Sequence, residues 1–173
     1  MFRVGVNRKK LRLLSTGGTT GQPTKTYHDK NVPLDVFSWR MLDWWNLKPY
    51  DNSSYVYRSI PRGINRYLNY LMWWPTKRNF LDASDMTDAK IKDFLDQCSK
   101  NNSKVIMGYV GAVHHLARYI INNNISIDSP KAVWVTSSPM TEFQRNFMQE
   151  AFGCPVYSQY GSVETLWLAA ECS

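Results

Sequence analysis

The sequence is short of the features that mark secreted, membrane-spanning or modular proteins. Only three of its 173 residues are cysteine, Cys98, Cys154 and Cys172, and no two form a C-x-x-C pair. An odd set of widely spaced thiols excludes a disulfide framework and fits reduced thiols in a cytoplasmic setting, with Cys98 and Cys154 as small core residues. No segment approaches the roughly 20 apolar residues of a membrane span. The best run, 105–113, is short and contains Gly108 and Gly111. The opening MFRVGVNRKK has no apolar stretch behind its charges, so a secretory leader is not expected there. Internal repeats and linkers rich in Pro, Gly or Ser are absent as well. There is no Gly-Lys-Ser/Thr of a P-loop and no G-x-G-x-x-G. No nucleic-acid-binding motif is present, and nucleic acid is not an expected partner.

What is there suits one α/β domain, or a piece of a larger one. A hydrophobic fraction of 43% and an aromatic fraction of 14% exclude a disordered chain and supply one core. The 21 Lys and Arg residues against 14 Asp and Glu leave a net charge of +7, which favours anionic partners without choosing among them. Many of these cations, such as Arg3, Lys9, Lys10, Arg12, Lys77 and Arg78, lie away from the motifs described below.

Apolar periodicity alternates between strands and helices. A short apolar run at 11–15 leads into a glycine-rich turn at 16–23. A helix is expected at 34–48 with Phe37, Met41, Trp44 and Trp45 on one face, then a strand at 54–60 stopped by Pro61-Arg-Gly63. A helix from about 87 to 100 can be capped by Thr87 and carries a stripe of Ile91, Phe94, Leu95 and Cys98. A strand at 104–107, a turn at Gly108, a helix to about 122 and a strand at 131–136 follow. Thr141 and Gln144 form a capping box opening a helix with Phe143, Phe147, Ala151 and Phe152 inward and Gly153 as its stop. A short strand at 155–158 leads to Tyr160-Gly161. This alternation predicts a mainly parallel sheet with flanking helices. In the pairs Trp44-Trp45 and Trp73-Trp74, one ring is expected in the core and the other at an edge. His114 and His115, adjacent on a helix, are expected to face different sides, one packed and one in solvent, and not to bind a metal.

Three segments carry chemistry. Ser15 to Lys25 (STGGTTGQPTK) contains three glycines that let backbone N–H groups approach a ligand, with hydroxyls from Ser15, Thr16, Thr19 and Thr20. Such a loop can surround phosphate oxygens, and Lys25 can add a positive charge; it can also be a plain surface turn. Val135 to Met140 (VTSSPM) places small polar residues at the end of a buried strand. Tyr157 to Glu164 (YSQYGSVE) follows a short strand, where ligands of open parallel sheets bind. Its tyrosine can stack on a purine, its glycine permits close approach, and its carboxylate can hold Mg²⁺.

Taken in order, these segments resemble the adenylate-forming (acyl-CoA synthetase) superfamily. T-G-G-T-T-G-x-P at 16–23 precedes K-A-V-W-V-T-S-S-P at 131–139, Q-R-x6-F-G-x-P-V-Y at 144–157 and Y-G-S-V-E at 160–164. With G-Y-V-G-A-V-H-H-L-A-R-Y at 108–119, the likeness is greatest to the phenylacetate–CoA ligase and CapK-like capsular polysaccharide biosynthesis branch, over residues 13–172.

The resemblance implies activation of a carboxylic acid with Mg-ATP to an acyl-adenylate, followed by transfer to coenzyme A or another thiol. It assigns Thr16, Gly17, Gly18, Thr19, Thr20 and Gly21 to the β- and γ-phosphates, with Lys25 just beyond. It assigns Ser137, Ser138 and Pro139 to the adenine edge, Tyr160 and Gly161 to the nucleotide, and Ser162 to the α-phosphate. Glu164 is the implied Mg²⁺ ligand, and Thr19 and Glu164 are the implied catalytic residues. Thr24 stands where many superfamily members have a basic residue and agrees with the branch; Ser138 stands where the branch tends to have glutamate. The acid pocket has no fixed code and is expected around 55–65 and 105–115.

By the same resemblance, residues 1–173 are expected to be a partial AMP-binding core domain. The C-terminal lid and its catalytic lysine are expected to be missing, so activity of the chain alone is expected to be low. A homodimer, or pairing with the missing remainder, is a further expectation, and a non-catalytic nucleotide-binding or assembly module is the alternative function. Glu171-Cys172 resembles a Glu-Cys pair of the branch, where a zinc site is conceivable.

Overall fold

The computed structural model describes residues 8–15, 24–32 and 35–172. Eight strands, five α-helices and one short 3-10 helix (Arg8–Lys10) are assigned among them. β1 (Leu11–Ser15) and β2 (Lys25–Asp29) form an antiparallel hairpin in which Ser15 is the register partner of Lys25. The other strands are β3 (Ser53–Tyr57), β4 (Arg78–Asp82), β5 (Val105–Tyr109), β6 (Ala132–Thr136), β7 (Val156–Tyr160) and β8 (Ala169–Ala170). They make one sheet in the order β4-β3-β5-β6-β7-β8, parallel throughout except for the antiparallel β8. The helices are α1 (Asp35–Trp44), α2 (Ile64–Trp73), α3 (Asp88–Lys100), α4 (Val110–Asn122) and α5 (Glu142–Phe152). This is the α/β class that the alternating pattern predicts.

Each central strand sends alternate residues to two cores, as a sheet covered on both faces requires. On one face Ile106, Val133 and Val135 meet Ile91, Phe94 and Leu95 of α3, Val113 and Leu116 of α4, and Met148 and Phe152 of α5. On the other face Val105, Ala132 and Trp134 meet Met41, Leu42, Trp45 and Leu47. Fully buried side chains of this size each contribute about 1.5–3 kcal/mol relative to exposure. Among the described residues no helix is long and apolar enough to cross a membrane.

The structure corrects several local expectations. α1 buries Met41 and Leu42, while Phe37 and Trp44 are exposed, and the helix ends at Trp44 instead of 48. Gly108 is not a turn but a buried residue inside β5. A Cβ there would lie 2.8 Å from Val113 Cγ2 and 2.8 Å from the Val56 carbonyl oxygen, so α4 can press against the strand only over a glycine. Phe143 is 71% exposed, one position off the inner stripe of Met148, Ala151 and Phe152. Thr87 stands at the N-cap of α3 but its side chain makes no capping hydrogen bond. The capping box of Thr141 and Gln144 forms in full, and Gly153 closes α5 in the left-handed conformation. Elements absent from the sequence reading are β2, α2, β4 and β8.

The Trp44-Trp45 pair and the histidines divide as expected, but neither ring of Trp73-Trp74 enters a core: Trp73 is half-buried with the Arg78 guanidinium over its ring (3.3 Å to the centroid) and Trp74 is exposed. Trp45 is buried, stacked on Tyr157 (4.9 Å between centroids) and edge-on to Trp134 (5.1 Å), while Trp44 is exposed. His114 lies beside Phe147 and His115 is exposed. Cys98 and Cys154 are half-buried against the main core.

Candidate functional site

The sheet order dictates where a ligand can sit. From β3 the chain crosses through α2 to β4 on one side; from β5 it proceeds through β6 and β7 on the other. The reversal lies between β3 and β5. In open parallel sheets the crevice outside the carboxyl ends of such strands is the binding position, because the two crossovers diverge there and leave it uncovered. A cleft of about 820 Å³ occupies this place. It is lined by Arg58 beyond β3, Ser84 and Met86 beyond β4, Tyr109 and His115 from β5 and α4, and Ser137 beyond β6. Arg58, Tyr109 and His115 fall in the two segments where the acid pocket is expected.

Two of the sequence motifs converge on the same edge. β6 and β7 are neighbouring parallel strands, so Ser137-Ser138-Pro139 and Tyr160-Gly161-Ser162 leave the sheet side by side. Thr136 Oγ1 donates to Gln159 Oε1 at 2.8 Å and joins the last turns of the two strands. Ser137 has φ of 79°, left-handed for a non-glycine residue, and is exposed. Such backbone costs of order 1–3 kcal/mol and persists where the surroundings impose it. Tyr160 is 68% exposed, its ring free to meet a planar ligand. Gly161 admits no side chain: a Cβ would fall 1.9 Å from the Leu166 carbonyl oxygen and 2.6 Å from Gln159 Nε2.

The segment after Gly161 folds back on itself. The Ser162 hydroxyl pairs with Thr165 Oγ1 at 3.0 Å, and Ser162 O accepts from Leu166 N at 2.7 Å. The Ser162 side chain also holds the exposed Glu164 carboxyl below its ordinary value, aided by the Glu164 backbone N–H and the charge of His28. Glu164 is therefore an ionised, accessible carboxylate at neutral pH. Glu171 ties α5 to β7: its carboxylate takes a bidentate pair from Arg145 (3.0 and 2.5 Å) and the N–H of Ser158 (2.8 Å). Trp45 Nε1 donates to the Glu171 carbonyl at 2.8 Å. Glu171 is thus occupied by a salt bridge. Among the described residues no group of three His, Cys, Asp or Glu side chains is gathered for a metal.

The remaining motif lies mostly outside the described residues: Thr16, Gly17, Gly18, Thr19, Thr20 and Gly21 are not among them. The strands on either side are. Lys25 is exposed at the end of the hairpin, opposite Ser15. His28 on β2 donates from Nε2 to the Val163 carbonyl at 2.7 Å, which ties the hairpin to the Tyr160–Glu164 segment. Residues 15 and 25 therefore belong to a hairpin anchored at the residue before Glu164.

The sequence reading missed Arg58, His28, Gln159 and the Arg145–Glu171 pair. His28, Gln159 and the Arg145–Glu171 pair act through contacts 23 to 135 positions apart in sequence, and no local pattern announces them or Arg58.

The fold matches that of part of solved CoA ligase structures. It superposes on 2-hydroxyisobutyryl-CoA ligase in complex with 2-HIB-AMP and CoA with a TM-score of 0.66, 13% identity and coverage of 98% of this chain and 38% of that one. ATP-bound MatB from Rhodopseudomonas palustris matches with a TM-score of 0.58 and 18% identity, over 92% of this chain and 30% of that one. In sequence the chain is similar to Protein CapK of Staphylococcus aureus, 26% identical over 164 residues, 91% of this chain. It spans 36% of the length of that relative. No family model matches the chain.

Proposed function

We propose that the chain carries part of the ATP site of an acid–thiol ligase that activates a carboxylic acid to an acyl-adenylate and passes the acyl group to coenzyme A. The observation that carries this reading is that Ser137 and Tyr160 stand at the adjacent carboxyl ends of β6 and β7, with Ser137 lining the switch-point cleft. In this reading an acid carboxylate oxygen bonds to the α-phosphorus of ATP, and the bond to the pyrophosphate oxygen breaks. The carboxylate is already a nucleophile at neutral pH, so the protein's task is to position it and to neutralise charge.

The residue roles follow the motifs. Thr16 to Gly21, with Thr19 central and Lys25 at the hairpin end, cradle the β- and γ-phosphates. Ser137, Ser138 and Pro139 border the adenine, Tyr160 stacks on it, Gly161 keeps the backbone close, and Ser162 lies toward the α-phosphate. Glu164 suits Mg²⁺: it is one exposed, ionised oxygen ligand, and a cation that arrives with a nucleotide takes its other ligands from phosphate and water. The ion would offset the negative charge of the phosphates.

The similarity to Protein CapK supports the phenylacetate–CoA ligase-like, capsule-related branch and a cytoplasmic enzyme. Residues 1–173 act in this reading as a partial adenylation domain, of low activity by itself, completed by a lid or by pairing with another chain. ATP–pyrophosphate exchange with a panel of acids tests it. Exchange that requires an acid and falls at least about tenfold in Glu164→Gln supports the reading; exchange indifferent to both overturns it.

A further inference from the structure

The switch-point cleft is polar and positively biased. Its lining includes Arg58, His115, Ser84 and Ser137 beside Tyr109 and Met86, and no Asp or Glu among the described residues. No ion pair or hydrogen bond joins Arg58 to a described residue. The acids next to the cleft on the β4 side are already engaged: Asp85 pairs with Lys90, and Asp82 pairs with Arg62 and accepts from Ser84 N at 2.9 Å and from Ser84 Oγ at 2.5 Å. Both are paired with cations other than Arg58.

Arg58 follows β3 and Ser137 follows β6, with β5 between them in the sheet. A ligand lying across the cleft would have its reacting end at Ser137, where the nucleotide motifs begin, and its far end toward Arg58. A guanidinium with no partner among the described residues is suited to bidentate capture of a carboxylate or phosphate, and the His115 imidazole, which lines the same cleft, can donate a further bond. A purely apolar acid would leave these groups unused.

Resting on the proposed ligase reading, we infer that the acid taken by this cleft carries a second anionic group, bound by Arg58 with His115. The substrate class is a carboxylic acid with a carboxylate or phosphate at its distal end.

The test is titration calorimetry on the chain with Mg²⁺ and a non-hydrolysable ATP analogue, using size-matched acids: adipate against hexanoate, and 4-carboxyphenylacetate against phenylacetate. The dianionic member of each pair is expected to bind at least about tenfold tighter. Arg58→Gln is expected to erase the preference, Arg58→Glu to reverse it, and Arg58→Lys to restore part of it. Equal or tighter binding of the monoacids, or a preference that survives Arg58→Gln, overturns the inference and leaves the ligase reading standing. Failure of the ATP analogue itself to bind overturns the ligase reading, and the inference falls with it. Arg58 is exposed, so these variants are expected to fold; unchanged melting temperatures confirm that the comparison is between folded proteins.

Discussion

Thr136 and Gln159 face each other from adjacent parallel strands, hydroxyl to amide oxygen at 2.8 Å, with Gln159 only 5% exposed. The bond fixes the relative register of the two strand ends from which Ser137 and Tyr160 emerge. A buried amide deprived of its partner loses its hydrogen bond and keeps its desolvation cost. Thr136→Val is therefore expected to destabilise the chain by about 1–3 kcal/mol in urea unfolding. Thr136→Ser, which retains the hydroxyl, is expected to cost less. Equal losses for Val and Ser would show that packing of the methyl group matters and the hydrogen bond does not.

Two glycines only three positions apart are expected to respond in opposite directions. Gly108→Ala places a Cβ against backbone and a β-branched neighbour at 2.8 Å and is expected to cost about 1–3 kcal/mol. Gly111 lies in α4 with nothing within 4 Å of an added Cβ. Gly111→Ala is expected to stabilise by about 0.5–1 kcal/mol, because alanine loses less backbone freedom in a helix. Thermal melts of the two variants check both signs.

The Arg145–Glu171 pair predicts a pH dependence. Burial raises the Glu171 pKa, but hydrogen bonds from Arg145 and Ser158 N–H and the charge of Arg145 outweigh it, so the net shift is downward from 4.5. A carboxyl with a depressed folded-state pKa stabilises above its unfolded value, and that contribution is lost as pH falls through the folded one. The pair is partly exposed, so the effect is modest. The melting temperature of Glu171→Gln is expected to lie below the parent's at pH 7 and to converge on it below the ordinary glutamate range. A gap that stays constant down to pH 3 would contradict this assignment.

Much of the architecture is written in local patterns. The capping box at Thr141, the stripe of α3 and the apolar strand at β6 are all signalled by neighbours in sequence, because each buries a regular face. α2 differs: Ile64, Tyr67, Leu68, Leu71 and Met72 recur at i, i+3, i+4, i+7 and i+8, a helical stripe that is present in the sequence, yet no residue of α2 is buried and these five stay exposed among the described residues. Gly108 misled because glycine signals both turns and close packing, and only the position of Val56 decides between them. The site was legible as motifs in order; its bracing was not. His28–Val163 and Arg145–Glu171 join residues that no spacing rule connects.

Thiol reactivity separates the three cysteines. Burial pushes the Cys154 thiol up to about 12 and raises that of Cys98 above its usual value, while Cys172 is exposed. Because the thiolate is the nucleophile, the native chain is expected to show one rapidly reacting thiol toward a disulfide reagent at pH 8, with three after denaturation. Loss of the rapid phase in Cys172→Ser identifies it.

The most direct test of the central claim is titration of Mg-ATP into the chain and into its Tyr160→Ala and Gly161→Ala variants. The nucleotide site at the carboxyl ends of β6 and β7 predicts saturable, one-site binding by the parent. It predicts a loss of about tenfold for Tyr160→Ala, as expected when a stacking ring is removed, and a comparable or larger loss for Gly161→Ala. Binding that is absent, or that both variants leave unchanged, would contradict the account.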